Sequence, residues 1–200
     1  MPSLVSDTRS MSPDVGDGHG AAELEPRSRL DTDVVHVAGD WGGVEPISDC
    51  ARIAAAAVAA AQGLSDCTVC LALSSDAEVQ KLNATYRGKP SPTNVLSFPA
   101  GDGAAASPDA GRNLGDLVLA AETVKREADD LGLPLQHHVQ HLVVHGLLHL
   151  LGFDHETEAE AEAMETLEID ILARIGVANP YLAAGDLIHP GRSQTEATES

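Results

Sequence analysis

The chain has 200 residues, 43% of them hydrophobic, and this size and composition suit one domain with an ordinary core. Its formal net charge of −19 disfavours general affinity for nucleic acid, because non-specific binding depends on Lys and Arg neutralising phosphates. The longest apolar run, residues 53–61, is too short to span a bilayer, and residues 1–30 lack the apolar segment of a secretory signal. We therefore expect a cytoplasmic protein without a membrane segment.

The predicted elements alternate between strands and helices. Composition rich in Ser, Asp, Pro and Gly predicts disordered tails at residues 1–32 and 187–200, with one domain at residues 33–186. Apolar periodicity and capping residues predict the strands as residues 34–37, 68–73, 94–98 and 114–119. The same signals predict the helices as residues 47–62, a helix opened by a capping box at 75–78 and ending near 87, then 122–131, 135–151 and 158–175. The stretch at residues 101–113 is rich in Gly, Ala, Ser and Pro and is predicted to be a flexible loop.

The three cysteines, an odd number, argue against a disulfide framework in a reducing compartment. Cys67 and Cys70 form a C-x-x-C pair, but they lie in a predicted strand, where residues three apart point to opposite faces. We therefore interpret both as packing thiols.

Three histidines at the end of the helix predicted at residues 135–151 have the spacing of a metal site. His145 and His149 are four residues apart, so on a helix they share one face, with Cβ atoms roughly 6 Å apart. Gly152 lets the chain leave the helix and turn back, so that His155 can reach the same ion. Three protein ligands leave a fourth position for water or substrate, which is typical of catalytic zinc.

These residues also allow other interpretations. A single histidine on an apolar helix face is more often a hydrogen-bonded core residue, but three at the spacing of a zinc motif favour metal binding. His141, one turn before His145, could be a fourth ligand or support a ligand from behind, although packing or a solvent-facing position is the preferred interpretation. The acidic run at residues 154–170 is interpreted as the solvated face of the last helix.

The histidine spacing also matches the metzincin proteases, with one difference. Those enzymes read H-E-x-x-H-x-x-G-x-x-H, and the glutamate is the general base for the zinc-bound water. This chain has Gly146 where the glutamate belongs. Because glycine cannot accept a proton, peptide hydrolysis by that mechanism lacks its base.

Two separate blocks resemble one known family. The run from His141 to His155 resembles the signature of the YbeY endoribonucleases, which are bacterial rRNA maturation factors. Residues 82–99 are similar to that family's other motif, and residues 115–118 and 162–165 fit its remaining landmarks. The resemblance covers roughly residues 34–181, and it departs in the N-terminal extension and in the stretch at 101–113.

The resemblance implies a zincin-like α+β fold in a single domain, with a mixed four-stranded sheet and about five to six helices. It implies one zinc ion held by His145, His149 and His155, and it nominates Arg87 as a catalytic residue. An arginine fork can pair two phosphate oxygens and stays charged throughout, which suits attack at phosphorus. The alternative interpretation of Arg87 is that its positive charge interacts favourably with the dipole at a helix C-terminus.

The implied activity is single-strand-specific RNA cleavage in small-subunit rRNA 3′-end maturation and ribosome quality control. The implied partners are rRNA and the pre-ribosomal small subunit, with small-subunit ribosomal proteins and assembly GTPases as further candidates. Water activation would fall to the metal, to Asp154 or Asp116, or be bypassed by attack of the RNA's own 2′-hydroxyl. Two other functions stay open: a non-catalytic, metal-stabilised ribosome assembly factor, and a metallopeptidase with a different base.

Overall fold

The computed structural model describes residues 30–101 and 111–182. Within these ranges the strands are β1 (Leu30–His36), β2 (Cys67–Ser74), β3 (Val95–Pro99) and β4 (Arg112–Ala120). The helices are α1 (Val44–Gln62), α2 (Asp76–Arg87), α3 (Ala121–Leu131), α4 (Leu135–Leu150) and α5 (Glu158–Arg174). None of these helices is both long and apolar enough to cross a membrane.

The four strands form one mixed sheet in the order β1-β2-β4-β3. β1 and β4 run parallel to β2, while β3 is antiparallel to β4 and forms one edge of the sheet. The predicted α+β class with a mixed four-stranded sheet is therefore confirmed. On β3, the carbonyl of Asn94 and the N–H of Ala100 face β4, so the carbonyl of Ser97, at the alternate position, faces away from the sheet.

The main core lies on one face of the sheet, where α1 and α4 pack against the strands and α5 packs against these two helices. Leu71, Leu73, Leu117 and Leu119 point from the strands into this core, and all four are fully buried. The opposite face carries a smaller cluster under α2, formed by Val79, Leu96, Val118 and Ala120. The residues alternate between faces along β4, as the period of a strand requires, so the face of each side chain can be assigned from its position.

Two strands begin two or more residues earlier than the sequence-based prediction. β1 begins at Leu30 and therefore reaches into the last residues of the predicted tail, because its exposed Asp31 and Asp33 give this strand the composition of a tail. β4 begins at Arg112, inside the predicted loop at 101–113. The predicted tail residues 1–29 and 187–200 and the loop residues 102–110 lie outside the described residues.

All three cysteines are free thiols. Cys67 is 5% exposed and packs in the main core, whereas Cys70 lies on the other face of the sheet beside Phe98 and Asp116. Burial raises the pKa of the Cys50 thiol to about 11, which makes that group an unreactive packing residue.

Candidate metal centre

Helix α4 carries the candidate ligands because its apolar residues hold it against the sheet. Val143, Leu147 and Leu148 are fully buried on that side. A second stripe of the same helix consists of histidines at spacings of three and four residues, so neighbouring rings meet edge to face. Their ring centroids are separated by 6.1, 6.4 and 4.6 Å along the series His138, His141, His145 and His149.

A tight turn after α4 brings the third histidine to the first two. Gly152 has φ of +94°, a conformation that side chains rarely adopt. Its N–H donates to the carbonyl of His149 at 3.0 Å, and the next N–H, of Phe153, donates to the carbonyl of Leu148 at 3.0 Å. The reversal places the ring of His155 5.0 Å from that of His149 and 5.8 Å from that of His145.

The nitrogen atoms of these three rings can meet at one ion. One nitrogen from each of His145, His149 and His155 lies within 4.8 Å of the other two. The Nε2 atoms of His145 and His149 are 3.1 Å apart. Two ligands at 2.0–2.1 Å from a tetrahedral ion would be separated by about 3.3 Å. The spacing therefore fits zinc, and imidazole ligands also suit nickel, copper and iron.

The other nitrogen of two of these rings is already engaged. His145 donates from Nδ1 to Oε1 of Glu168 at 2.8 Å, and His149 donates from Nδ1 to the carbonyl of Phe153 at 3.0 Å. Both bonds select the tautomer that leaves the lone pair of Nε2 for a metal. Burial, then the proximity of His145, lowers the pKa of His149, which favours the neutral ring that ligation needs.

A fully buried carboxylate stands behind the ligands. Glu168 on α5 is 0% exposed, and its Oε2 accepts from Nε2 of His141 at 3.0 Å and from the hydroxyl of Tyr181 at 2.6 Å. Burial is the largest influence and raises the pKa of Glu168, but the three hydrogen bonds together outweigh it and lower that pKa to about 2. Burial and the adjacent Glu168 raise the pKa of Tyr181.

Two sequence interpretations are wrong at this point. His141 is neither simple packing nor solvent-facing but hydrogen-bonds the carboxylate that holds His145. The acidic run is not wholly solvated, because Glu168 lies four residues after Met164 and three before Ile171, on the buried side of α5. This spacing was readable in the sequence: an acid at a core position of an amphipathic helix signals a buried partner.

The histidines open onto a cleft of about 740 Å³ with two different walls. We call one the ligand wall; it consists of His145, His149 and residues 152–156. We call the other the cationic wall; it consists of Arg87, Lys89 and the cleft-lining residues of 93–99. Arg87 ends α2, is exposed, and donates from Nη2 to the outward carbonyl of Ser97 at 3.4 Å. The predicted catalytic arginine and the three predicted ligands therefore line one cleft.

The loop at residues 88–94 is tied to two helices. From α2, Gln80 donates to the carbonyl of Pro90 at 2.9 Å, and the buried Asn83 donates to that of Ser91 at 2.7 Å. At the end of the loop, Asn94 donates to Glu127 on α3 at 3.0 Å. Glu127 also accepts from Nε2 of the buried His138 at 2.9 Å. These bonds fix the backbone of the cationic wall before any ligand arrives.

Two basic residues of α3 lie outside the cleft and have local partners. Lys125 pairs with Asp40 at 3.2 Å, and Arg126 donates to the hydroxyl of Thr123 at 3.0 Å. Neither residue lines the cleft.

Gly146 lies where α4 crosses the sheet most closely. A Cβ atom there would be 2.8 Å from Cδ2 of Leu117 and 3.3 Å from Oγ of Ser97, and that hydroxyl donates to the carbonyl of Gly146 at 3.3 Å. Leu117 is fully buried, so it has little room to move. The metzincin base is therefore excluded at this position by packing as well as by sequence.

The two carboxylates considered as bases lie in different places. Asp116 follows the alternation of β4 onto the face opposite α4, where it lines a groove with Cys70 and Phe98. Asp154 lines the cleft, and its Oδ1 accepts from the N–H of His155 at 2.8 Å. Of the two, only Asp154 is placed to act beside the histidines.

The family model and the sequence relatives of this chain agree with each other. The sequence model of the family described as endoribonuclease YbeY matches residues 45–176. A protein named endoribonuclease YbeY from Rhodopseudomonas palustris strain BisA53 is 50% identical over 156 residues, which are 75% of this chain and 89% of that protein. One of the same name from Parvibaculum lavamentivorans is 46% identical over 177 residues, 82% of this chain and 90% of that protein. A solution structure from Thermotoga maritima is 20% identical with a TM-score of 0.47, covering 82% of this chain and 100% of that one.

Proposed function

The chain belongs to the YbeY endoribonuclease family, and from this premise we propose that it is a zinc-dependent endoribonuclease specific for single-stranded RNA. Its role is 3′-end maturation of small-subunit rRNA and ribosome quality control in the cytoplasm. One observation carries the proposal: a single cleft holds the three histidines and Arg87, which are distant in sequence. Its partners are rRNA and the pre-ribosomal small subunit, with small-subunit ribosomal proteins and assembly GTPases as further candidates.

Each wall has its own task in this reaction. His145, His149 and His155 would hold a zinc ion, which would supply a Lewis acid in the cleft. Arg87 pairs with the oxygens of the scissile phosphate and stabilises the charge that grows as phosphorus is attacked. Its side chain starts from a helix end whose following loop is already held by Asn83, so little ordering is needed when RNA binds.

The charge distribution supports a single-stranded substrate. A duplex is gripped by many phosphate contacts along its length, and each contact uses a Lys or Arg. The cleft offers Arg87 and Lys89 on one wall, while Asp154 and Glu156 on the other repel phosphates that are not at the metal. This arrangement suits a short stretch of strand bent past one site.

The nucleophile is either water or the RNA's own 2′-hydroxyl. Water could be activated by the metal or by Asp154, which lines the cleft. A substrate with deoxyribose at the cleavage position tests internal attack. Full cleavage of that substrate would eliminate attack by the 2′-hydroxyl.

A non-catalytic assembly factor is the second candidate, and the net charge of −19 favours it, because so acidic a chain needs help to approach RNA. In that role the metal only stabilises the fold, and Arg87 is dispensable. The metallopeptidase alternative would need a base at a position other than residue 146, where a side chain has no space.

The deciding experiment is cleavage of an rRNA 3′-terminal fragment, with metal content determined on the same samples. Arg87→Ala should retain metal and lose cleavage, whereas His145→Ala should lose both. Arg174→Ala is the matched control, because Arg174 is also an exposed basic residue in the last turn of a helix but does not line the cleft. Cleavage that is equal in all samples would indicate a contaminating nuclease and favour the assembly factor.

A further inference from the structure

We propose that Glu168 and Tyr181 are positioning residues that set the metal affinity of the site by fixing the ring of His145. The inference rests on the metal site of the proposed function, and it does not depend on RNA cleavage. Neither residue is a ligand: the ligand set is His145, His149 and His155. Their effect passes through hydrogen bonds on the side of His145 that faces away from the ion.

The surroundings of Glu168 are unusual for a structural acid. A carboxylate that is 0% exposed is costly to bury, and such groups are normally paired with Lys or Arg. Within the described residues, its salt-bridge partners are His141 and His145 alone. The third donor is the neutral hydroxyl of Tyr181. A buried carboxylate surrounded by histidine donors and no fixed cation is suited to tuning a ligand.

The two oxygens of Glu168 have separate roles. Within the part of the chain that the structure describes, Oε1 accepts only from Nδ1 of His145, at 2.8 Å, and so sets the direction of that ring. Oε2 accepts from Nε2 of His141 at 3.0 Å and from Tyr181 at 2.6 Å. Two donors on Oε2 prevent the carboxylate from rotating, and Oε1 therefore stays aimed at His145.

The same bonds explain why the site has three histidine ligands and not four. His141 lies one turn before His145 and could otherwise reach toward the ion. Its Nε2 is engaged by Glu168, and its ring rests against that of Tyr181, with centroids 5.6 Å apart at 78°. His141 is thereby kept out of the ligand set, which leaves the fourth position for water or substrate.

Tyr181 connects the centre to the segment that follows α5. The residue is 43% exposed, but its hydroxyl points inward to Glu168, and Tyr181 lines a cavity of about 270 Å³ beside His145, Met164 and Glu165. If the contact between Tyr181 and Glu168 strengthens metal binding by some factor, metal binding must strengthen that contact by the same factor, because the coupling free energy between two equilibria is reciprocal. The segment after α5 and the ion therefore stabilise each other.

The test is competition for Zn²⁺ between the full-length protein and a chromophoric chelator at pH 7. We expect Glu168→Gln to weaken metal binding about 10–100-fold, the usual effect of losing a ligand's outer partner. Tyr181→Phe removes one hydrogen bond and should weaken it about fivefold. Two matched control variants should bind Zn²⁺ with an affinity within about twofold of wild type. Glu165→Gln removes a charge from the same cavity, and Tyr86→Phe removes an exposed hydroxyl.

A second readout separates positioning from mere support of the fold. With Co²⁺ at saturation, a ring of His145 that is no longer held should shift the visible absorption bands in Glu168→Gln and Tyr181→Phe but not in the controls. Unshifted bands, or affinities equal to wild type in folded variants, would overturn the inference. If Glu168→Gln does not fold, Tyr181→Phe, which changes one oxygen atom, decides alone.

The experiments distinguish failure of this inference from failure of the proposed function. A wild-type protein that binds zinc tightly but cuts no RNA would overturn the endoribonuclease assignment and leave this inference standing. If instead the wild-type protein cuts RNA and the Glu168→Gln and Tyr181→Phe variants bind zinc as tightly as wild type, this inference is overturned and the endoribonuclease assignment stands.

Discussion

The two walls of the cleft are built in different ways. The ligand wall comes from one continuous run, residues 145–156, and is supported from behind by a carboxylate that is 0% exposed. The cationic wall comes from the end of α2, a loop and β3, and its supporting carboxylate, Glu127, has a side chain that is 34% exposed. The ligand wall should therefore govern metal binding and stability, and the cationic wall should govern turnover with little effect on either.

Removal of the metal should produce the largest difference in local stability between the ligand wall and the cationic wall. An ion present at about 1,000 times its dissociation constant stabilises the fold by about 4 kcal/mol, and chelation removes that amount. Amide hydrogen exchange should then accelerate at residues 145–155 and stay unchanged at residues 88–94. Equal acceleration in both walls would mean that they are one cooperative unit.

Acid should have the second-largest effect, because it lowers the stability of the ligand wall. In metal-free protein, the pKa of Glu168 is lowered from the ordinary 4.5 to about 2, so its stabilisation is complete above pH 4.5 and is lost as the pH falls toward 2. The shift corresponds to about 3 kcal/mol. Urea unfolding at pH 6 and pH 3, with chelator present, should show a smaller loss in Glu168→Gln than in wild type.

Glu127 provides the comparison on the cationic wall. Burial raises its pKa, but the hydrogen bonds from His138 and Asn94 outweigh burial, and the net shift is downward. Its stabilisation is therefore also present above pH 4.5 and lost below it. Because this group is partly solvated, Glu127→Gln should change the pH dependence less than Glu168→Gln does. The opposite ranking would contradict the assignment of Glu168 as the buried anchor.

A smaller loss is expected where the ligand wall meets the sheet. Gly146→Ala places a methyl group against Leu117 and should cost about 1–3 kcal/mol, the usual range for overpacking. Denaturant unfolding of the metal-free protein measures it. Gly152→Ala is a useful companion, because among the described residues no atom apart from its chain neighbours lies within 4 Å of a Cβ there, so its cost comes from the positive φ.

The smallest stability effect should come from the cationic wall. Asn83→Ala removes the bond to the carbonyl of Ser91 and should cost about 1 kcal/mol. Zinc affinity should not change, while the cleavage rate should fall because the loop that follows Arg87 is no longer held. Gln80→Ala, which removes an exposed bond to the same loop, should have a weaker effect on cleavage. Loss of zinc in Asn83→Ala would contradict the assignment of metal binding to the ligand wall and of turnover to the cationic wall.

The same difference explains what the sequence could predict. His145, His149 and His155 lie within eleven residues on one helix and its turn, so their meeting follows from local geometry. Arg87 reaches the cleft only through packing of α2 on the sheet, and its nomination came from the family resemblance. The position of Glu168 could have been read from the apolar spacing of α5, although its partners could not.

Tyr181 illustrates the remaining limit. It has no periodic signal, and its contact with Glu168 depends on how the chain after α5 folds back. The start of β1 at Leu30 was hidden for a different reason: Asp31 and Asp33 occupy the exposed positions of an edge strand, and their composition matches that of a tail. Local pattern identified most elements, and tertiary packing decided the support of the site.

The bond from Arg87 to Ser97 has a consequence for solution behaviour. β3 is an edge strand, and its outward carbonyls offer a template on which a second chain could add a strand. The guanidinium covers one of those carbonyls and places a positive charge at the edge. Arg87→Ala should therefore increase self-association as well as lower cleavage, and light scattering at working concentration should detect it. Arg87 thus protects a sheet edge in addition to lining the cleft.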